Sequence, residues 1–312
     1  SDEPHNEEPY ITDKDKKLLN YQALWSTDNG ERQLLDHKIY SKYPNEFNHN
    51  VNIILNECNH HFYHSAYNGP KIGYLVWEST RMDKTFFNLW NKFDQLWVAS
   101  EWQKQCTIEQ GADPSKVKVV PEAVDGSIFK PNSSVELSDY DDGRFKFIHF
   151  GRWDYRKSTK EIIEAFLDEF DKNEKVDLVL SIDNVFAKDG FKTTEERLKY
   201  YNLVDPRLKI KHFPSRDEYI KYLQKGHVFL SCARSEGWNL PLIEAMACGT
   251  PSIYSNCSAQ LEFAKGKGHP VKIEKEIKAV GGEYSTYSQS ELPGNFYEPD
   301  FNDLKKVMRD VY

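Results

Sequence analysis

Two glutamates, Glu236 and Glu244, stand with seven residues between them at the start of an apolar stretch. From Leu240 to Cys248 every residue is apolar or proline except Glu244. A lone charge in an apolar helix is costly unless it is paired. No residue of opposite charge lies within reach along this stretch, so we expect the partner of Glu244 to come from another segment or from a ligand.

The residues between the two glutamates predict a turn that opens a helix. Gly237 allows a tight turn, for which a left-handed backbone is one option. Asn239 is a suitable N-cap, and the proline that follows Leu240 is tolerated in a first helical turn. The amides near Asn239 and Leu240 would then form an anion site. Trp238, in the same turn, is a further substrate-binding candidate.

This geometry suggests different ligands for the two carboxylates. Glu244, about one turn into the helix, can accept two hydrogen bonds from a vicinal diol such as a ribose. Glu236, at the mouth, can accept hydrogen bonds from sugar hydroxyls. Two isolated glutamates at this spacing usually cap helices or form salt bridges. The strand–turn–helix context favours the binding interpretation here.

A basic loop, Phe150–Ser158, follows an earlier predicted strand. Gly151 ends that strand, and a helix is predicted to begin near Ser158. Arg152 offers a planar fork for phosphate oxygens, and Lys157 adds a second cation. Alone, such a loop is more often a solvated surface. Beside the glutamates, it predicts that Arg152 and Lys157 stabilise a departing diphosphate.

The C-terminal half alternates apolar strands with amphipathic helices. This pattern predicts an α/β fold, with a parallel sheet covered on both faces and a ligand site at the carboxyl ends of its strands. The predicted strands are Lys146–Phe150, Val176–Ile182, Leu208–Phe213, Val228–Cys232, Pro251–Tyr254 and Pro270–Ile273. The predicted helices are Ser158–Phe170, Thr194–Asn202, Asp217–Gln224, Leu240–Cys248, Ala259–Ala264 and Asn302–Tyr312.

The N-terminal half is less regular. Its predicted strands are Tyr21–Trp25, Val51–Leu55, Ile72–Val76, Leu96–Ala99 and Lys116–Val120, and its predicted helices are Glu31–Tyr40, Met82–Phe93 and Glu101–Glu109. The polar, acidic segment Pro131–Gly143 is the best linker candidate. We therefore predict an N-terminal domain at 1–133, a linker at 134–143 and a C-terminal domain at 144–312. The chain begins without a clear first strand and stops inside a helix, as a trimmed chain would.

Composition describes a globular protein and narrows its partners. The 312 residues are 39% hydrophobic and 29% charged, with a net charge of −8, which disfavours general nucleic-acid binding. No apolar run approaches the roughly 20 residues of a membrane span. The five cysteines form no CxxC motif, and the N-terminus, SDEPHNEEPY, does not resemble a signal peptide. We expect a cytoplasmic protein.

The two segments together resemble a known family. GRWDYRKSTKEIIEAF followed by SEGWNLPLIEAMACGTPSI is similar to the motifs of the retaining glycosyltransferases of family four (glycosyl transferases group 1). The resemblance implies the GT-B architecture, in which two Rossmann-like domains face each other across a cleft, here with an abbreviated N-terminal domain. It also implies that Arg152 and Lys157 bind the donor diphosphate, that Glu244 holds the ribose and that Glu236 contacts the donor sugar. The amides of Gly237–Leu240 would meet the phosphates and the sugar.

The sequence departs from the family pattern at five places. Ser158 replaces the glycine after the lysine, Trp238-Asn239 replaces Phe-Gly, and Glu122-Ala123 replaces Asn-Gly. The family's N-terminal glycine loop has a weak counterpart in Asp28-Asn29-Gly30, which makes Gly30 a substrate-binding candidate. Glu78 stands where the family often has a histidine, so it is either close to the reacting centre or an ordinary strand-end carboxylate.

The histidines at 60, 61 and 64 lie close to Cys58, but the spacing CxHHxxH is not a standard zinc pattern. We therefore predict no metal at His60, His61 and His64 and assign them a polar loop or acceptor-side role. The family resemblance likewise implies chemistry without a metal or other cofactor.

The resulting prediction is an enzyme that moves a sugar, with retention, from a nucleotide-diphosphate sugar to an acceptor hydroxyl. The acceptor is a glycan, lipid or polysaccharide precursor, reached without a transmembrane segment and with peripheral membrane contact as an option. Three alternatives stay open. They are a nucleotide-sugar epimerase on the same fold, a sugar phosphorylase and a catalytically silent nucleotide- or glycan-binding module.

Overall fold

The computed structural model describes residues 51–55, 69–137, 140, 142–184, 189–280 and 294–312. The chain divides into two compact units that alternate along the sequence. One comprises Ser1–Leu75, Lys84–Trp97 and Ser115–Lys118, and the other comprises Val76–Asp83, Val98–Pro114 and Val119–Tyr312. The linker predicted at 134–143, and the domain borders at 133 and 144 that it defines, stay a prediction.

A four-stranded sheet with order β1-β2-β3-β4 accounts for the described strands of the N-terminal half. Its strands are β1 (Asn52–Leu55), β2 (Lys71–Leu75), β3 (Gln95–Val98) and β4 (Val117–Val119), and the helices between them are α1 (Lys84–Trp90) and α2 (Glu101–Glu109). Strands β1 and β2 pair in parallel. These elements confirm the strands and helices predicted between residues 51 and 120, whereas Tyr21–Trp25 and Glu31–Tyr40 lie outside the described residues.

A six-stranded parallel sheet forms the centre of the C-terminal half, in the order β10-β9-β8-β5-β6-β7. Its strands are β5 (Phe145–Phe150), β6 (Val176–Ser181), β7 (Leu208–Ile210), β8 (Val228–Ser231), β9 (Ser252–Ser255) and β10 (His269–Val271). The helices that follow them are α3 (Thr159–Glu169), α4 (Thr194–Tyr200), α5 (Arg216–Lys225), α6 (Leu240–Ala247) and α7 (Leu261–Ala264). The predicted α/β fold with a parallel sheet is confirmed.

The strand order reverses between β5 and β8. From β5 the chain runs outward through β6 and β7, then returns to place β8 on the other side of β5. The loops that leave β5 and β8 therefore diverge to opposite faces of the sheet and leave a crevice at its carboxyl edge, where ligands of open α/β sheets bind. These loops are the two segments that the sequence singles out.

The sheet is held between two buried apolar layers. Phe147, Leu178 and Leu230 belong to one cluster, and Ile148, Val179 and Phe229 belong to the other. Consecutive residues of each strand thus alternate between the two layers, because side chains alternate across a pleated strand. Burial on both faces explains why these strands are apolar throughout.

The prediction of Pro270–Ile273 as one strand is wrong. Strand β10 ends at Val271, and a new strand, β11 (Ile273–Lys278), pairs antiparallel with β12 (Asn295–Pro299). The run IEKEIK is largely exposed, which a two-stranded antiparallel ribbon tolerates and a buried parallel strand does not. The last helix, α8 (Phe301–Val311), confirms the predicted C-terminal helix and begins at the N-cap Asp300.

Candidate functional site

The loops after β5 and β8 meet in a buried cluster of charges. Glu236 is 3% exposed. Its Oε1 lies 2.5 Å from Lys157 Nζ, and its Oε2 lies 3.0 Å from Arg156 Nη1. Its backbone N–H donates to Ser258 Oγ at 3.0 Å. The carboxylate is thus fixed between two cations at the switch point of the sheet.

Sequence reasoning missed Arg156, which occupies the position beside Glu236 where the loop pattern predicts Arg152. Arg156 is buried, and its Nη1 also donates to the Ser235 carbonyl at 2.9 Å. Arg152 is half-buried and accepts a hydrogen bond from Thr159 Oγ1 through its carbonyl. Among the described contacts it makes no ion pair with Glu236. The available signal was the Arg156–Lys157 doublet directly before the helix start.

The structure brings Glu78 to this cluster. Its Oε1 lies 3.2 Å from Arg156 Nη2, so Arg156 bridges Glu78 and Glu236. Burial and then the charge of Glu78 raise the pKa of Glu122, another departure from the family pattern. Arg156 therefore compensates two carboxylates, and a third stands close by.

Burial and ion pairing act in opposite directions on Glu236. Burial by itself would raise the pKa of this carboxyl, but Lys157 and Arg156 outweigh it, so the pKa lies below its ordinary value. Burial lowers the pKa of Lys157, against the attraction of Glu236. We take the ionised carboxylate between two cations as the resting state, because either charge alone would be costly at this depth.

Glu244 has partners from another segment, as its apolar surroundings require. Tyr219 OH, on α5, donates to Glu244 Oε2 at 2.6 Å. Arg216 Nη2 lies 3.8 Å from Oε1, too far for a hydrogen bond. Burial raises the pKa of Glu244. Oε1 therefore keeps hydrogen-bonding capacity on a carboxylate whose side chain is 14% exposed.

Gly237 does not adopt a left-handed backbone, so that expectation is wrong for this residue. A glycine is needed here because the residues Val76 and Trp77 lie very close to its Cα. A Cβ at this position would lie 2.4 Å from Val76 Cγ1 and 3.0 Å from the Trp77 carbonyl oxygen. The neighbouring Trp238 is 5% exposed and packs on Phe263 with ring centroids 5.2 Å apart. It is therefore part of the wall that supports the helix start.

Two departures from the family pattern sit where the backbone is left-handed. Ser158 has φ 55° and Asn239 has φ 83°. Glycine adopts this conformation without a steric penalty, and asparagine is among the residues that tolerate it best. Asn239 adds an N-cap, since its Oδ1 accepts from Leu242 N at 3.4 Å, while its Nδ2 donates to Ser231 Oγ and Gln260 Oε1 at 2.9 and 2.7 Å. Leu240, 41% exposed, then opens α6.

A buried arginine, Arg234, ties the two loops together. Its guanidinium binds Glu298 in a bidentate pair at 2.8 and 2.9 Å and reaches Glu161 at 2.9 Å. It also donates to the Tyr155 carbonyl and, at 3.3 Å, to Ser158 Oγ. Since Arg234 stands two residues before Glu236 and its partners flank Lys157, this network sets the distance between them. Sequence reasoning did not single it out.

Three buried polar atoms near these loops lack a hydrogen-bond partner among the described residues. They are His149 Nε2, Ser235 Oγ and Trp238 Nε1. His149 Nδ1 lies 2.7 Å from the Leu230 carbonyl, so it carries the proton. Burial lowers the pKa of His149 to about 4. Its Nε2 is then an acceptor available to a ligand. The Ser235 hydroxyl and the Trp238 indole N–H are available as donors.

Several candidates from the sequence cannot be placed. Gly30, Cys58, His60, His61 and His64 lie outside the described residues. In the ranges that are described, no three His, Cys, Asp or Glu side chains converge as metal ligands would, and no helix is long and apolar enough to cross a bilayer. Gly151 lies at the end of β5, where a Cβ would meet the Lys157 side chain only at 4.0 Å.

Comparison with known proteins agrees with these features. Residues 132–271 match the family model described as "Glycosyl transferases group 1". A subunit of the phosphatidylinositol N-acetylglucosaminyltransferase of Arabidopsis thaliana is 27% identical over 189 residues, which is 60% of this chain and 39% of that protein. "Putative glycosyltransferase 48" of a Sulfolobus islandicus filamentous virus is 46% identical over 52 residues, 16% of this chain and 17% of its own length. The chain thus spans well under half the length of these curated relatives.

Two solved structures show the same fold at low identity. HepE of Anabaena, in complex with UDP-glucose, superposes with a TM-score of 0.63 at 17% identity, over 76% of this chain and 68% of that one. Sucrose-phosphate synthase of Thermosynechococcus elongatus gives a TM-score of 0.63 at 16% identity, over 90% and 68%. The chain therefore has the GT-B fold of glycosyltransferases, and its residues 132–271 match the model of the glycosyl transferases group 1 family.

Proposed function

We propose that this protein is a glycosyltransferase that moves a sugar from a nucleotide-diphosphate sugar to an acceptor hydroxyl. The observation that carries the proposal is the buried Glu236, held between Arg156 and Lys157 at the switch point of the parallel sheet. Glu244 follows one turn into the helix that starts there. Cations, a helix start and a diol-binding carboxylate at one edge suit a nucleoside diphosphate better than any other ligand class.

The donor would bind with its charge toward the basic loop. Lys157 and Arg152 would contact the diphosphate, as would the free amides at the start of α6, where Asn239 is the N-cap. Glu244 Oε1, which lies 3.8 Å from Arg216, would accept from the ribose hydroxyls. Glu236 and His149 Nε2 would face the donor sugar.

The chemistry follows from this placement. The bond between the anomeric carbon and the leaving diphosphate oxygen breaks, and a bond to the acceptor oxygen forms. The acceptor's proton passes to the leaving diphosphate, whose developing charge is stabilised by Lys157 and Arg152 in place of a metal. Retention of configuration is proposed from the family resemblance. A hexose is the proposed sugar, since HepE of Anabaena was crystallised with UDP-glucose.

A ligand panel tests the donor part of the proposal. Thermal shifts are measured with UDP, GDP, ADP, CMP and dTDP, each with and without an attached sugar. We expect at least one nucleoside diphosphate to raise Tm, and Lys157→Ala to remove most of that shift. Lys160→Ala is the matched control, because Lys160 pairs with Glu164 on the exposed face of the next turn. Stabilisation by none of the panel would overturn the proposal.

A turnover assay separates the alternatives. Release of the nucleoside diphosphate that depends on an acceptor supports transfer. Conversion of the donor sugar without an acceptor would instead identify an epimerase, and a requirement for phosphate without nucleotide would identify a phosphorylase. Binding without turnover on glycan or lipid-linked acceptors would favour a silent binding module. We place the reaction in the cytoplasm from the cysteine composition alone.

A further inference from the structure

A cavity of about 450 Å³ has a lining that includes none of the residues of the charge cluster. Three segments line it: residues 80–81, one face of α2, and the β11–β12 hairpin. Its volume is in the range of small-molecule sites. The β11–β12 hairpin, which contributes Glu276, Asn295 and Tyr297 to the lining, was not predicted from the sequence.

Two aromatic side chains form one wall. Trp102 Nε1 donates to Tyr297 OH at 3.3 Å, and the rings meet edge to face with centroids 6.5 Å apart. Both residues are half-buried. The hydrogen bond between them fixes an apolar surface that ends in polar atoms, a combination that suits a ligand with both C–H and O–H faces.

Charged and amide groups form the rest of the lining. The Arg81 guanidinium has no hydrogen bond or ion pair within the described part of the chain. Glu109 Oε1 accepts from Gln105 at 2.8 Å, and Glu276 Oε2 accepts from Asn295 at 3.1 Å. Each carboxylate keeps its other oxygen available. One cation and two carboxylates give a formal charge of −1, which disfavours a phosphorylated ligand and favours a neutral one that both donates and accepts.

The cavity is attached to the charge cluster at two points. Tyr297 N donates to the Arg234 carbonyl at 2.9 Å, two residues before Glu236. Arg81 is three residues from Glu78, which pairs with Arg156. Three residues span at most about 11 Å. A ligand in the cavity is therefore close to the candidate active site without occupying the place assigned to the nucleotide.

We propose that this cavity binds a neutral sugar ring, as a subsite for a saccharide acceptor. The proposal rests on the glycosyltransferase function above. The Trp102–Tyr297 wall packs on the C–H face of the ring, and Arg81, Glu109 and Glu276 bind its hydroxyls. A phosphate or lipid-diphosphate group of an acceptor would be excluded from this subsite by its charge.

Saturation-transfer NMR on the whole chain tests this, with and without UDP. The probes are methyl glycosides of glucose, galactose and mannose, with N-acetylglucosamine. We expect at least one to bind, and Arg81→Ala and Glu276→Ala each to weaken that binding at least tenfold. Glu274→Gln is the control, because Glu274 is exposed on the same strand and does not line the cavity. Having two variants guards against local misfolding, which circular dichroism would report.

The outcomes distinguish the two proposals. Binding by none of the probes, or binding unaffected in both cavity variants, overturns the subsite. Tighter binding of glucose 6-phosphate than of methyl glucoside also overturns it, since the net negative charge of the lining predicts the opposite order. If UDP still raises Tm in those cases, the donor site stands. If no nucleotide binds while sugars do, the proposed function and the acceptor role of the cavity both fail, and only its binding of sugars stands.

Discussion

Replacing Glu236 with glutamine tests whether this carboxylate is the counter-ion of Lys157 and whether a diphosphate can take its place. Arg156 would keep Glu78 at 3.2 Å and the Ser235 carbonyl at 2.9 Å. Lys157 would lose the partner that it has at 2.5 Å, the one ion pair found for it in the described ranges. Removing one member of a buried ion pair costs about 3 kcal/mol.

For a unit of this size that cost corresponds to a decrease in Tm of about 6–12 °C. The deficit has a defined pH dependence. Since ion pairing lowers the pKa of Glu236 below 4.5, its contribution to stability is present at neutral pH and is lost as the pH falls through the native pKa. The difference between wild type and Glu236→Gln should therefore be full at pH 7 and shrink as the pH falls below 4.5 and through the native pKa.

Ligand binding gives the sharper result. A diphosphate brings negative charge to the unpaired Lys157, so UDP should raise the Tm of Glu236→Gln by more than it raises that of wild type, although transfer activity is lost. Glu164→Gln is the matched control. It breaks an exposed pair on α3 and should change Tm by no more than about 1–2 °C. A Glu236→Gln variant with wild-type Tm and a wild-type response to UDP would refute the counter-ion role.

Four further changes test other parts of the site. Glu244→Gln should weaken UDP binding about 10–100-fold in calorimetry. It should not lower Tm, because burial already disfavours the charged form of Glu244. An equal loss of affinity for 2′-deoxy-UDP would contradict the ribose contact. Gly237→Ala should cost about 1–3 kcal/mol in urea unfolding, because the new Cβ would lie 2.4 Å from Val76 Cγ1. Ser158→Gly should be more stable than Ser158→Ala by about 1–2 kcal/mol at φ 55°, and equal stability would argue against the left-handed strain. The pKa of His149 is lowered from 6.5 to about 4, so the free energy of unfolding should decrease as the pH falls through that window. His149→Gln should remove about 1.4 kcal/mol per pH unit of that dependence.

Much of the fold followed from the sequence because its determinants are local. Strands such as β6 and β8 are apolar on both faces, and the helices between them carry their own caps, so type and order were predictable. The β11–β12 hairpin was not, because Ile273–Lys278 finds its partner at Asn295–Pro299. The charges of IEKEIK argue against a buried parallel strand, but nothing local in them says which segment this strand pairs with.

In the site, the elements were predictable and the pairing of charges was not. Glu236 and Lys157 were expected at one edge, and they meet there. The choice between Arg152 and Arg156 depends on how the loop turns before α3. That turn is set by the left-handed backbone at Ser158 and by Arg234, whose partners come from 73 and 64 residues away. A contact set by such distant residues cannot be inferred from spacing along the loop.

The different roles expected of Arg156 and Lys157 follow from their partners. Arg156 is bound to two carboxylates and a carbonyl, and a planar guanidinium so engaged has little freedom to move. Lys157 has one carboxylate and a flexible stem, and burial lowers its pKa. We therefore expect a diphosphate to recruit Lys157, while Arg156 keeps Glu236 ionised and in place. By this reasoning Lys157 is the exchangeable cation of the site, and Arg156 is the positioning residue that keeps Glu236 compensated during the exchange.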